Sequence, residues 1–203
     1  DNLTVAVRFA ATPLTSLLAD GSLTLDRYAS SASKDQRDLR GSLAVEFAPD
    51  AIIRGRATFG YHALEVADPT AVDYRGPAFD GDLTYVLLEI TRFNARYRRD
   101  TAASVEAPYY VDTSYGGEVT QAFFGPTELV GRYNHQTSRY PGIPARAIAP
   151  RLDVTARSAG GITVRMTETT RMTITYERVR RQSVIEGLTY VRDRVLSSVS
   201  LGF

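Results

Sequence analysis

The sequence predicts an all-β protein, an antiparallel up-and-down array of about eleven strands. Three observations predict it. Apolar and polar residues alternate with period two along most of the chain, no stretch carries the apolar spacing of a helix, and short connections alternate strictly with long polar ones.

In chain order, LTVAVRF sets Leu3, Val5, Val7 and Phe9 against Thr4, Ala6 and Arg8. LRGSLAVEF sets Leu39, Gly41, Leu43, Val45 and Phe47 against Arg40, Ser42, Ala44 and Glu46. IIRGRATFGYHA sets Ile53, Gly55, Ala57, Phe59, Tyr61 and Ala63 against Arg54, Arg56, Thr58, Gly60 and His62. In LDVTARSAGGITVRM, Leu152, Val154, Ala156, Ile162, Val164 and Met166 oppose Asp153, Thr155, Arg157, Thr163 and Arg165. That run of roughly 15 residues exceeds the usual globular strand of about five or six. The closing RVLSSVSLGF places Val195, Val199, Leu201 and Phe203 on one parity, interrupted by Ser197.

The tight connections are ATPLTS, APDA, LLEIT, FGPTEL and MTETTR; the longer ones are SSASKDQRD, EVADPTAVDYRGP, DTAASVEAP, SRYPGIPARAIAP and RQSVIEGLT. Consecutive antiparallel hairpins gather all turns of one kind at one end. Aromatic residues sort by the same ends. Phe9, Phe47, Phe93, Phe123 and Phe203 lie beside the short turns, and Tyr28, Tyr61, Tyr97, Tyr110, Tyr133, Tyr140 and Tyr176 nearer the long loops. Two aromatic rings at opposite strand ends are what the two interfaces of a bilayer select. The polar parity mixes arginine with carboxylates and is nearly free of lysine, Lys34 being the only one in the chain. Arginine suits crowded, partly desolvated carboxylate pairs. An antiparallel up-and-down transmembrane β-barrel is therefore the better reading, with a soluble β-sandwich as the alternative. Bacterial barrels carry even strand numbers, so twelve or more strands are expected in the complete barrel.

Composition limits the rest. The chain has 203 residues, a net charge of +1 and no cysteine, so neither a nucleic-acid partner nor thiol chemistry is indicated. No apolar run reaches the about 20 residues of a membrane helix. DNLTVAVRFAA has no basic n-region or cleavage site, so it is not read as a signal peptide. Residues 1–203 read as a single transmembrane barrel domain, expected to be the C-terminal part of a longer precursor.

The stretches PAFDGDLTY, TRFNARYRRDTAASVEAPYYVDTSYGGEVTQAFFGPTELVGRYNHQTSRY and VRDRVLSSVSLGF carry a family resemblance. Asp80 to Tyr85, Thr91 to Asp100 and Tyr109 to Thr113 resemble successive strand elements of the bacterial outer-membrane β-barrel porins, some encoded beside exopolysaccharide-synthesis genes. The resemblance implies a Gram-negative outer membrane, short periplasmic turns and a periplasmic C-terminus. Val199, Leu201 and Phe203 then resemble the terminal signal that addresses a barrel to the insertion machinery.

Candidate chemistry is sparse. Only His62 and His135 are present, with no serine fixed beside either and no nucleophile motif, so an interfacial or lumenal histidine is the favoured reading. No cofactor or metal site is indicated. Asp80 and Asp82 share a strand face, as an anionic patch or as partners of Arg96 and Arg98. Together with Arg54, Arg56, Glu118, Arg132, Asp153, Arg157 and Arg165 they form the expected lumenal charge network. That network would set the selectivity of a porin-like channel or an export assembly, or would plug a scaffold barrel that works through its outer loops. An outer-membrane enzyme dependent on His62 or His135 is a third reading. The expected partners are outer-membrane lipid, the insertion machinery, and other envelope proteins or further copies of the chain.

Overall fold

The computed structural model describes residues 1–27, 35–102, 104, 107–143 and 149–201. Among these it forms eleven strands: β1 (Asn2–Thr12), β2 (Thr15–Asp26), β3 (Gln36–Phe47), β4 (Ile53–Val66), β5 (Tyr74–Leu87), β6 (Thr91–Ala102), β7 (Tyr110–Ala122), β8 (Thr127–Tyr140), β9 (Arg151–Arg165), β10 (Thr170–Gln182) and β11 (Tyr190–Leu201). They make one antiparallel sheet in sequence order. Lengths run from 11 residues in β1 to 15 in β9, enough to cross a bilayer's hydrocarbon when tilted. The two outermost strands, β1 and β11, run in the same direction and are not neighbours in the sheet.

Which parity is buried decides the environment. On the apolar parity Phe9 and Leu43 are each 65% exposed and Val195 is 71% exposed, whereas on the polar parity His62 is 0%, Asp153 4% and Glu177 7% exposed. A soluble sandwich buries its apolar parity. This sheet does the reverse, as a barrel does when lipid is the outer solvent. The expected alternation therefore stands as a lipid face and a lumenal face.

The lipid face is built in repeating units. Tyr61 on β4 lies directly opposite Gly41 on β3, Tyr97 on β6 opposite Gly81 on β5, Tyr133 on β8 opposite Gly117 on β7, and Tyr176 on β10 opposite Gly160 on β9. Each tyrosine is the ladder partner of a position that has no side chain of its own, so four hairpins repeat one tyrosine–glycine pair.

One ladder is shorter than its strands. The β5–β6 pairing runs from Phe79–Arg99 to Leu87–Thr91, although β5 reaches back to Tyr74 and β6 on to Ala102. Pro77 has no N–H to donate, which ends a ladder. Beyond it Tyr74 turns its hydroxyl to the Pro77 carbonyl at 3.2 Å and packs edge-on against Tyr109. Leu64, Tyr74 and Tyr109 form a small buried cluster there, flanked by Val66 and Val111, at the long-loop end. Burial and the nearby Asp73 push the Tyr109 phenol above its usual range, so it stays neutral.

Two aromatics differ in place from the sequence expectation. Tyr110 and Tyr140 share the lumenal parity, stacked at 5.0 Å with Arg151 over the Tyr140 ring at 3.8 Å. They belong to the inside of the mouth, because a ring's strand end says nothing about its face. Tyr28 lies outside the described residues.

Gly55 opens β4 at a φ of +119°, where a Cβ would be driven into the Asp82 carbonyl, while Gly41 has open space at the same position. Gly55→Ala should cost about 1–3 kcal/mol and Gly41→Ala well under that. The temperature at which the compact band is lost on gels of unheated and stepwise-heated samples measures the difference.

Candidate functional site: the charged lumenal face

The register carries charges of opposite sign to neighbouring places on the lumenal face. Arg96 donates to Asp82 at 2.9 Å across β5–β6, and Asn94 donates to the same carboxylate. Arg132 pairs Glu118 across β7–β8. Glu177 on β10 takes Arg194 of β11 at 2.8 Å and faces Arg157 of β9 at 3.7 Å. Asp153 is flanked by Arg181 at 3.1 Å and Arg151 at 3.5 Å, and accepts from the Ser183 hydroxyl at 2.6 Å. Arg8–Glu46 and Arg56–Asp20 reach over one intervening strand, both at 3.7 Å.

The densest knot was not legible as a unit. His62 on β4 is fully buried, with Nε2 2.9 Å from Asp38 on β3 and Nδ1 3.1 Å from Asp100 on β6. Arg40 ties the same two carboxylates, at 3.0 Å to Asp38 and 2.7 Å to Asp100. Thr101 adds its backbone N–H to Asp100 at 2.8 Å and places its hydroxyl 3.2 Å from His62 Nδ1. Two cationic or proton-bearing groups thus alternate with two carboxylates, which is how charge is kept at low solvent exposure. The knot spans from β3 to β6 where the β5–β6 ladder has stopped, so side chains replace the missing backbone bonds. Both ring nitrogens of His62 face carboxylates.

Every described residue of the expected network faces the lumen, but the pairings differ in detail. Asp82 meets Arg96, Glu118 meets Arg132, and Asp153 and Arg157 find Arg181 and Glu177. Arg56 finds Asp20 rather than a carboxylate of β5. The expected Asp80–Arg98 pair is not formed: the two lie opposite in the ladder, yet no ion pair joins them. Arg54 has no carboxylate in range, and Arg165 lies directly opposite Arg171. His135 sits on the lipid face, stacked on Tyr115 at 4.9 Å. Val199 and Leu201 are exposed on the lipid face, and Phe203 lies outside the described residues. Among the described residues no group of three His, Cys, Asp or Glu side chains is arranged to hold a metal ion. Sequence reasoning missed Asp38 and Asp100. Both keep lumenal parity, Asp38 beside Leu39 and Asp100 closing RYRRD, so parity alone could have added them.

An apolar face turned outward around a charged, ion-paired interior defines a transmembrane β-barrel. The chain belongs to the family described as "Putative beta-barrel porin 2", whose match covers residues 2–203. Among solved structures it is similar to one titled "Copper transporter OprC", at 12% identity and a TM-score of 0.48, over 98% of this chain and 42% of that one. The chain thus spans less than half the length of that protein. No curated protein matches it.

Asp100→Asn leaves His62 and Arg40 short of a carboxylate in a buried setting and should cost roughly 2–4 kcal/mol. Asp82→Asn removes an exposed pair and should cost under about 1 kcal/mol. Urea-induced unfolding of the barrel in detergent micelles compares them.

Proposed function

We propose that this protein is a non-enzymatic, porin-like channel of the bacterial outer membrane, passing small solutes with a preference for anions. It works alone or within an envelope or polysaccharide-export assembly. Its terminal strand is addressed to the barrel-insertion machinery, and further copies or other envelope proteins are its protein partners. The supporting observation is an imbalance on the lumenal face. Among the described residues Arg54, Arg92, Arg98, Arg165, Arg171 and Arg192 face the lumen without an ion-paired carboxylate, against Asp26, Asp80, Asp112 and Glu128 without an ion-paired cation. Four of these arginines sit at the short-turn end, and Arg165 directly opposes Arg171. Like charges across a ladder repel, and a passing anion relieves the repulsion. With both nitrogens of its buried ring held by carboxylates, His62 has no free base for substrate, which supports a role without catalysis.

A scaffold barrel with a blocked lumen is the second reading. The Leu64–Tyr74–Tyr109 cluster and the Tyr110–Tyr140 stack favour it, since they occupy the long-loop mouth.

Planar-bilayer recording in a KCl gradient tests both. A channel is expected to show discrete steps and a reversal potential displaced toward that of chloride. Replacing Arg54, Arg92, Arg165 and Arg171 by Gln should move it toward potassium. Insertion without conductance would overturn the channel in favour of the scaffold.

A further inference from the structure

The lipid face is not electrically symmetric along the strands. Its exposed charged positions are Arg37, Arg75, Arg139, Arg178 and Arg180, with Glu65 and Asp193 among them. All lie within the last turns of pairing at the long-loop end; the lipid-facing strand positions beside the short turns carry no charge among the described residues. The arginines therefore form a collar around the outside of the barrel, distinct from the lumenal network, whose side chains have the opposite parity.

Just below the collar the lipid face becomes aromatic. Phe59 lies 5.0 Å from Phe79, Phe79 5.8 Å from Tyr97, and Tyr115 4.9 Å from His135 between ring centroids, a band across β4 to β8. Aromatic bands mark the depth at which hydrocarbon gives way to headgroups. Moving outward along a strand, the next lipid-facing side chains are these arginines: Tyr176 is followed by Arg178 and Arg180, and Phe79 is preceded by Pro77 and Arg75. Their guanidinium groups sit at headgroup depth.

Their own carboxylates do not use them up. Glu65 is 3.7 Å from both Arg37 and Arg75, and Asp193 is 3.8 Å from Arg178 while accepting the Tyr176 hydroxyl at 2.6 Å. These separations exceed hydrogen-bond length, and Arg139 and Arg180 face no carboxylate at all. Side chains of Arg37, Arg75 and Arg178 stay at least half exposed. A planar guanidinium with free donors binds a phosphate by two parallel hydrogen bonds.

We infer that this collar is a binding surface for phosphorylated lipid headgroups in the leaflet at the long-loop end. Resting on the transmembrane reading, the inference assigns that leaflet to anionic lipid and gives the barrel a preferred annulus there. The aromatic rings below it supply the apolar body against which the acyl chains lie, and the arginines take the phosphates.

The test uses the full chain folded in neutral detergent micelles with equimolar phosphatidylcholine and diphosphoryl lipid A, with retained lipid counted by native mass spectrometry. On the order of tenfold enrichment of the phosphorylated lipid is expected. The Arg→Gln set at the five collar positions should abolish it, and the Arg→Lys set, which keeps charge and supports insertion, should leave part of it. Ten-millimolar inorganic phosphate, on the order of the lipid concentration or above, should not compete, because the acyl chains share in binding. Equal retention of both lipids, retention unchanged in the Gln set, or full competition by free phosphate would each overturn the inference. The heat-dependent gel shift is read on the same samples: a compact barrel without enrichment sinks the collar alone, whereas no compact form in neutral micelles sinks the transmembrane reading.

Discussion

Hydrocarbon offers a peptide group no hydrogen-bond partner, and this constraint organises the whole molecule. Each strand must be bonded on its flanks by another, which makes a continuous sheet the only extended solution. Once the sheet exists, side-chain parity has two solvents to answer to. Leu3, Val5, Val7 and Phe9 are exposed because lipid is as apolar as they are, and Asp153 and Glu177 are buried because arginines meet them inside. The interior of this protein is accordingly rich in ion pairs, and a small buried apolar cluster packs at one mouth.

An ionic interior is specific in a way an apolar one is not. Arginine and carboxylate stabilise each other only in particular registers, so the pairs Arg96–Asp82, Arg132–Glu118 and Arg194–Glu177 each hold one strand against slipping along its neighbour. A slip of one residue would turn these charges to lipid at several kcal/mol each. Charge thus does here what shape complementarity does in a soluble core. The arginines that find no carboxylate are then the positions released from that duty.

Much of this was legible in the sequence. Period-two runs located the strands, and alternation of loop length gave their direction. Together they placed residues such as Arg54, Glu118 and Asp153 on the correct face before any pairing was known. What parity could not supply was register. Asp80 and Arg98 share a face and even a ladder position, yet do not pair; Asp38 and His62 meet across the β3–β4 ladder, and Asp100 of β6 reaches them where the β5–β6 ladder has stopped. Tyr110 and Tyr140 misled for a related reason, since an aromatic near a strand end satisfies an interface belt or a mouth equally well until its parity is followed.

The short β5–β6 ladder gives the wall a mechanical character of its own. Elsewhere neighbouring strands are stitched along their full length by backbone bonds, which resist shear and separation alike. Past Pro77 the sheet is two panels, one ending in β5 and one beginning with β6, joined there by side chains: a latch of Asp100 reaching to His62 and Arg40, and the packing of Tyr74 on Tyr109. A latch holds at a point and lets the edges around it pivot. The lateral pressure of the membrane is therefore borne unevenly around the circumference, and the yielding line of this wall runs down from the long-loop mouth between Tyr74 and Ala102.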